Sequence, residues 1–206
     1  GFADLVIGAP DETIGRALFA GAVHILYGSG SGLTTTGAQF FHQNTRGVSG
    51  IADDFDFFGA SLAVGDFDHD GFADLAIGNP GDMSGDREEA GAVHILYGTG
   101  SGISTTGAQR FQIDGGEAFE HYGASLAMGD FDGDGFADLV TGVPDLDIGT
   151  IVDTGLVYVD YGSLTGLTTN GSQSFDQNTP GIPDTAEAFD GFGGWSASFW
   201  FFFLAP

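Results

Sequence analysis

The chain has 206 residues, enough for one large domain, and its 37 glycines among 42% hydrophobic residues point to many tight turns between short elements. Its formal charge is −25, with 29 acidic residues against four arginines (Arg16, Arg46, Arg87, Arg110) and no lysine; such a surface excludes nucleic-acid and anionic-membrane partners and favours cations. There is no cysteine, which excludes a disulfide framework, a thiolate metal site and a cysteine nucleophile.

In chain order the sequence is a repeat. GFADLVIGAP opens at Gly1 and returns as GFADLAIGNP from Gly71 and GFADLVTGVP from Gly135, with periods of 70 (71 minus 1) and 64 (135 minus 71). AGAVHILYGSGSGLTTTGAQF from Ala20 is answered from Ala90 and, more loosely, from Thr154, while FGASLAVGDF from Phe58 is answered by YGASLAMGDF from Tyr122. Each period holds four strand-like runs, in the second unit Ala60 to Val64, Asp74 to Gly78, Ala92 to Tyr97 and Gly107 to Phe111. Ala60, Leu62 and Val64 alternate with Ser61 and Ala63, and no segment keeps helical periodicity for three turns. In VHILYG the apolar residues occupy both faces, as in strands covered on two sides. The expected fold class is therefore all-β, with β-propeller blades of four antiparallel strands. About three blades are expected, an incomplete arc: residues 1–57 as a partial first blade, 58–121 as the second, 122–191 as the third and 192–206 as an aberrant stub.

Between the first and second strand of a unit lies DFDHDGFAD, from Asp66 to Asp74, and again DFDGDGFAD, from Asp130 to Asp138. Asp stands at positions 1, 3, 5 and 9 of each (Asp66, Asp68, Asp70, Asp74; Asp130, Asp132, Asp134, Asp138), and Gly at position 6 permits a sharp inward turn. Carboxylates this crowded repel one another unless a cation sits among them, and hard oxygens at this spacing suit calcium, with the carbonyls of Phe72 and Phe136 as further donors. An EF-hand would close with Glu at position 12, where this chain has Ile77 and Thr141. Two Ca2+ sites are expected.

Phe58-Gly59 with Gly78-Asn79-Pro80, Tyr122-Gly123 with Gly142-Val143-Pro144, and Gly8-Ala9-Pro10 at the start resemble the FG-GAP repeats of integrin α-subunit propellers and of bacterial secreted proteins. The resemblance implies a propeller that closes with seven blades, the remaining ones being partners of this arc, and calcium held in the first-to-second strand loop. It also implies a secreted or cell-surface protein, non-catalytic, that works in adhesion or ligand binding to an unknown protein or extracellular ligand. The alternative it implies is an accessory propeller of a larger, phospholipase-like hydrolase. Asp4 falls at the ninth position of a loop whose earlier residues are outside the sequence, so it is not expected to hold an ion.

No Gly-x-Ser-x-Gly elbow occurs, and a phosphate-cradling loop with lysine is excluded. His24 and His94 stand where the third copy has Tyr158 and read as packed or semi-exposed strand residues, and His69 reads as solvent-facing. The acidic stretches Asp82 to Glu89 and Asp145 to Asp153 read as solvated connections. The apolar run Phe199 to Pro206 falls far short of the ~20 residues of a spanning helix, so no membrane insertion is expected.

Overall fold

The computed structural model describes residues 1–83, 89–113 and 118–194. The expectations for Arg87 and for Phe199 to Pro206 lie outside the described residues. Among the described residues, eleven strands form three antiparallel meanders. Blade 1 has β1 (Leu5–Ala9), β2 (Ala22–Ser29) and β3 (Gly32–Phe41). Blade 2 has β4 (Ser61–Gly65), β5 (Asp74–Asn79), β6 (Ala92–Tyr97) and β7 (Ser104–Phe111). Blade 3 has β8 (Ser125–Gly129), β9 (Asp138–Val143), β10 (Leu156–Tyr161) and β11 (Thr168–Phe175). The all-β, blade-like expectation holds.

The blades share one register. His24, His94 and Tyr158 pair with Ile7, Ile77 and Thr141 respectively. The ladder between the last two strands slips at the same point in all three, between Ile25 and Tyr27, Ile95 and Tyr97, Val159 and Tyr161. An irregularity kept in every copy is part of the blade's design, and it re-aims the tyrosine. It also explains why β7 starts at Ser104, ahead of the expected Gly107.

Burial follows the stacking. β5 and β6 lie between two neighbouring blades and are buried at every position, as a strand without polar alternation should be. Outer β1 leaves Leu5 and Ile7 each 40% exposed. One apolar cluster, with Val23, Phe58, Leu75 and Leu96, seals blade 1 to blade 2, and a second, with Phe67, Val93, Leu139 and Val143, seals blade 2 to blade 3. Fully burying a side chain such as Phe58 contributes about 1.5–3 kcal/mol.

The paired glycines make this stacking possible. A Cβ on Gly78 would stand 2.2 Å from the Gly123 carbonyl oxygen, and one on Gly8 would stand 2.1 Å from that of Gly59. Gly59 and Gly123 themselves have φ of 91° and 88°. The Phe-Gly or Tyr-Gly of one blade therefore lies directly against the Gly-x-Pro of the blade before it, backbone to backbone. Ser61 Oγ donates to the Gly123 carbonyl at 2.6 Å across the same contact.

Candidate functional site

Each Asp loop forms where a first strand runs out. β4 ends at Gly65 and β8 at Gly129; the chain reverses through His69 (φ 57°) and Gly71 (φ 90°), or through Gly133 (φ 78°) and Gly135 (φ 92°). Asp74 and Asp138 then open β5 and β9. The turn supplied by Gly at position 6 is the one the spacing called for.

Three of the four aspartates in each loop converge. One carboxylate oxygen each from Asp66, Asp68 and Asp74 lies within 4.8 Å of the others, and the same holds for Asp130, Asp132 and Asp138. Asp70 and Asp134 are not part of these groups. Asp70 Oδ1 accepts the Phe72 N–H at 2.8 Å, and Asp134 Oδ1 accepts the Phe136 N–H at 2.9 Å, which tightens the turn. The Phe72 side chain is exposed, while the Phe136 ring packs 5.2 Å from the ring of exposed His69, linking the two loops.

Loop amides turn toward the carboxylates. Gly71 N–H donates to Asp66 Oδ2 at 3.0 Å, and Gly135 N–H to Asp130 Oδ2 at 3.1 Å. Position nine has a second task that sequence reasoning missed. Asp74, fully buried, accepts the Phe67 N–H on Oδ2 and the Gly98 N–H on Oδ1, both at 2.7 Å, so it ties its loop to the end of β6. Asp138 does the same with Phe131 at 2.7 Å and Gly162 at 3.0 Å, and Asp4 accepts from Gly28 at 2.8 Å. The signal was the Tyr-Gly that recurs at 27–28, 97–98 and 161–162. A Cβ on Gly98 would meet the Ala73 carbonyl oxygen at 2.3 Å, so only glycine admits this approach.

Three of these carboxyls are raised, with burial as the main cause. Burial pushes Asp74 up to about 6, against the pull of the Gly98 and Phe67 amides, and Asp68 and Asp66 add to the rise. Burial, helped by Asp70 and Asp66, also raises Asp68, and burial raises Asp138.

Elsewhere, Asp82 is buried and accepts from Arg110 Nη2 at 2.6 Å, so the expectation of a solvated stretch fails at its first residue. His94 is buried beside the Phe58 ring at 5.3 Å, and burial with the Arg110 charge lowers its pKa to about 3, which fits strand packing. His24, by contrast, is exposed against Phe40.

A family model described as FG-GAP repeat matches residues 58–96 and 122–160. The chain carries FG-GAP repeats. Each matched segment runs from the Phe-Gly or Tyr-Gly contact through the Asp loop into the third strand of its blade. Among curated proteins, the phosphatidylinositol-glycan-specific phospholipase D of Mus musculus is 34% identical over 144 residues, covering 70% of this chain and 17% of that protein. Integrin alpha-5 of Xenopus laevis is 36% identical over 166 residues, covering 77% of this chain and 14% of the integrin. Integrin alpha-V of Gallus gallus is 37% identical over 116 residues, covering 54% of this chain and 10% of the integrin. The chain thus spans a small part of the length of these relatives.

Proposed function

We propose that the two FG-GAP loops each bind Ca2+ and that the chain is a non-catalytic propeller module of a secreted or cell-surface protein, working in adhesion or ligand binding. The observation that carries this reading is the convergence of three carboxylates per loop within 4.8 Å. The donor set fits the ion: calcium takes oxygen ligands only, six to eight of them, in flexible geometry. Asp66, Asp68 and Asp74 would hold one ion and Asp130, Asp132 and Asp138 the other, with Asp70, Asp134 and the carbonyls of Phe72 and Phe136 as further donors. Bound calcium supplies the positive charge that these carboxylates lack. The chain's own residues do the rest: the Gly71 and Gly135 amides orient the first aspartate, and Asp74 and Asp138 pass the constraint to the end of the third strand.

Extracellular calcium modules bind at about 0.1–1 mM, so such sites fill outside the cell. With calcium at a hundred times the dissociation constant, each site adds ~2.7 kcal/mol of stability. Chelator should therefore lower the melting temperature, and excess calcium should restore it; identical melts with and without chelator would overturn the reading. Asp74→Ala should cost about 2–4 kcal/mol even in chelator, because it strands two buried amides.

The match to a phospholipase D supports a second reading, an accessory propeller of a larger hydrolase. Incubating the chain with phosphodiester substrates separates the two readings from catalysis in these residues: no turnover is expected, and turnover would contradict a non-catalytic module.

A further inference from the structure

Blades 2 and 3 share a backbone and differ sharply at one place in their interiors. In blade 2 that place holds apolar side chains around one buried imidazole: Phe58, Ile77 and Leu96 are fully buried, Val48, from the connection after β3, packs with them, and His94 lies 5.3 Å from the Phe58 ring. At the equivalent positions blade 3 has Tyr122, Thr141 and Asp160, and Tyr158 replaces His94 while Ser172 replaces Ala108. Five exchanges, each introducing or keeping a polar group, fall around one point.

The point is a cleft of about 220 Å³ between blades 2 and 3, lined by Tyr122, Tyr158, Asp160 and Ser172, with Phe111 and Ile113 on the opposite wall. Asp160 is only 3% exposed. Its carboxylate accepts from the Ser172 hydroxyl and, at 3.4 Å, from the Tyr122 hydroxyl, both neutral donors. Thr141 adds a buried hydroxyl beside Tyr122. Among the described residues no arginine pairs with Asp160, Arg110 being engaged by Asp82. Burial raises the Asp160 pKa; burial first and the Asp160 carboxylate second raise that of Tyr122, and burial, then Glu120 and Asp160, raise that of Tyr158. An ionised carboxylate kept in an interior where the sister blade has leucine is costly with only neutral donors around it, and a bound cation offsets that cost. Two tyrosine rings, 6.0 Å apart and tilted by 57°, add the aromatic surface that organic cations prefer.

We propose that this cleft binds an alkylammonium group, with Asp160 as its counter-ion and Tyr122 and Tyr158 lining it. The group can belong to a free amine or to a lysine side chain; the chain's charge of −25 draws either toward it. The site is separate from the Asp loops and does not depend on them for its ligand.

The test uses the full chain in calcium at about 0.15 M ionic strength, so that loose attraction to the acidic surface is screened. Binding of n-butylammonium and of n-butanol is followed by tyrosine absorption and by calorimetry. Butylammonium should bind at least about tenfold more tightly than the alcohol, and Asp160→Leu, which installs the residue of blade 2, should erase that preference while the protein still melts cooperatively. Should that variant fail to fold, the ammonium-to-alcohol ratio in the natural chain decides alone. Equal binding of the two probes, no binding of butylammonium, or an unchanged preference in folded Asp160→Leu would overturn the proposal. A Gly-Lys-Gly peptide blocked at both ends, added as a third arm, assigns the source: binding comparable to butylammonium points to a lysine side chain, and binding of butylammonium alone points to a small amine.

Discussion

Where blade 1 meets blade 2, Phe19 stacks on Phe55 at 5.4 Å and Phe57 lies 6.4 Å from Phe19. One junction further on the equivalent residues are Glu89, Phe119 and His121, and His121 bonds Glu89 at 3.0 Å through Nε2 and Asp145 at 2.7 Å through Nδ1. Deeper in, Gln43 and Asn79 cluster beside Asp82 at the first junction, whereas the second has Ile113 and Val143 at those places. The backbone does not change: Phe58 N–H donates to the Ala20 carbonyl at 2.9 Å, and Tyr122 N–H to that of Ala90 at 3.0 Å. Blade registration therefore belongs to glycine contacts and main-chain bonds, which leaves the side chains at each junction free to specialise.

The largest way to break this comparison is at Arg110. Its guanidinium meets Asp82 at 2.6 Å, with side chains 20% and 6% exposed, so Arg110→Ala strands a buried carboxylate at the first junction only. Chemical denaturation near pH 7 should show a loss of about 3 kcal/mol, and less in acid, where Asp82 takes up a proton. A loss under about 0.5 kcal/mol would place the pair among surface ion pairs.

Next in size is a pH effect confined to the second junction. Burial lowers the His121 pKa, but the hydrogen bonds and charges of Asp145 and Glu89 outweigh it and leave the pKa above 6.5. A basic group raised on folding stabilises fully below its unfolded value and loses that contribution as pH rises through the folded one. His121→Phe, which copies Phe57, should therefore cost more stability at about pH 6 than at about pH 9. An equal cost at both would mean that the imidazole charge is idle. Asp56, near the first junction, acts in the same direction over a lower range: burial raises it to about 7, so its ionisation costs stability as pH climbs from about 4 through 7. Asp56→Asn should flatten that slope in denaturation curves.

The sequence made the blades and the loops legible because both are local and repeated: period-two runs, Gly-x-Pro stops, and aspartates at positions 1, 3, 5 and 9. What it hid depends on distances between blades. Nothing in DFDHDGFAD says that Asp70 serves its own turn while Asp74 reaches Gly98, 24 residues on. Nor does Asp82 announce that Arg110, two strands away, neutralises it. Asp160 was legible only as a Leu96 counterpart of the wrong polarity, a signal that registers once the copies are aligned on the ladder.

The smallest expected effect sharpens the aromatic side. Phe55 is 48% exposed, so Phe55→Ala should lose only about 0.5–1.5 kcal/mol of ring–ring energy plus its partial burial. The result is read by denaturant midpoint against Phe119→Ala, which sits at the ionic junction and should cost less.

Calcium titration by isothermal calorimetry, on the natural chain and on Asp68→Ala, reaches the central claim most directly. Two ions per natural chain, and one per variant chain with the Asp130 to Asp138 loop still filled, is the outcome this account requires. No saturable uptake at about 1 mM calcium, or the same stoichiometry in both proteins, would contradict it.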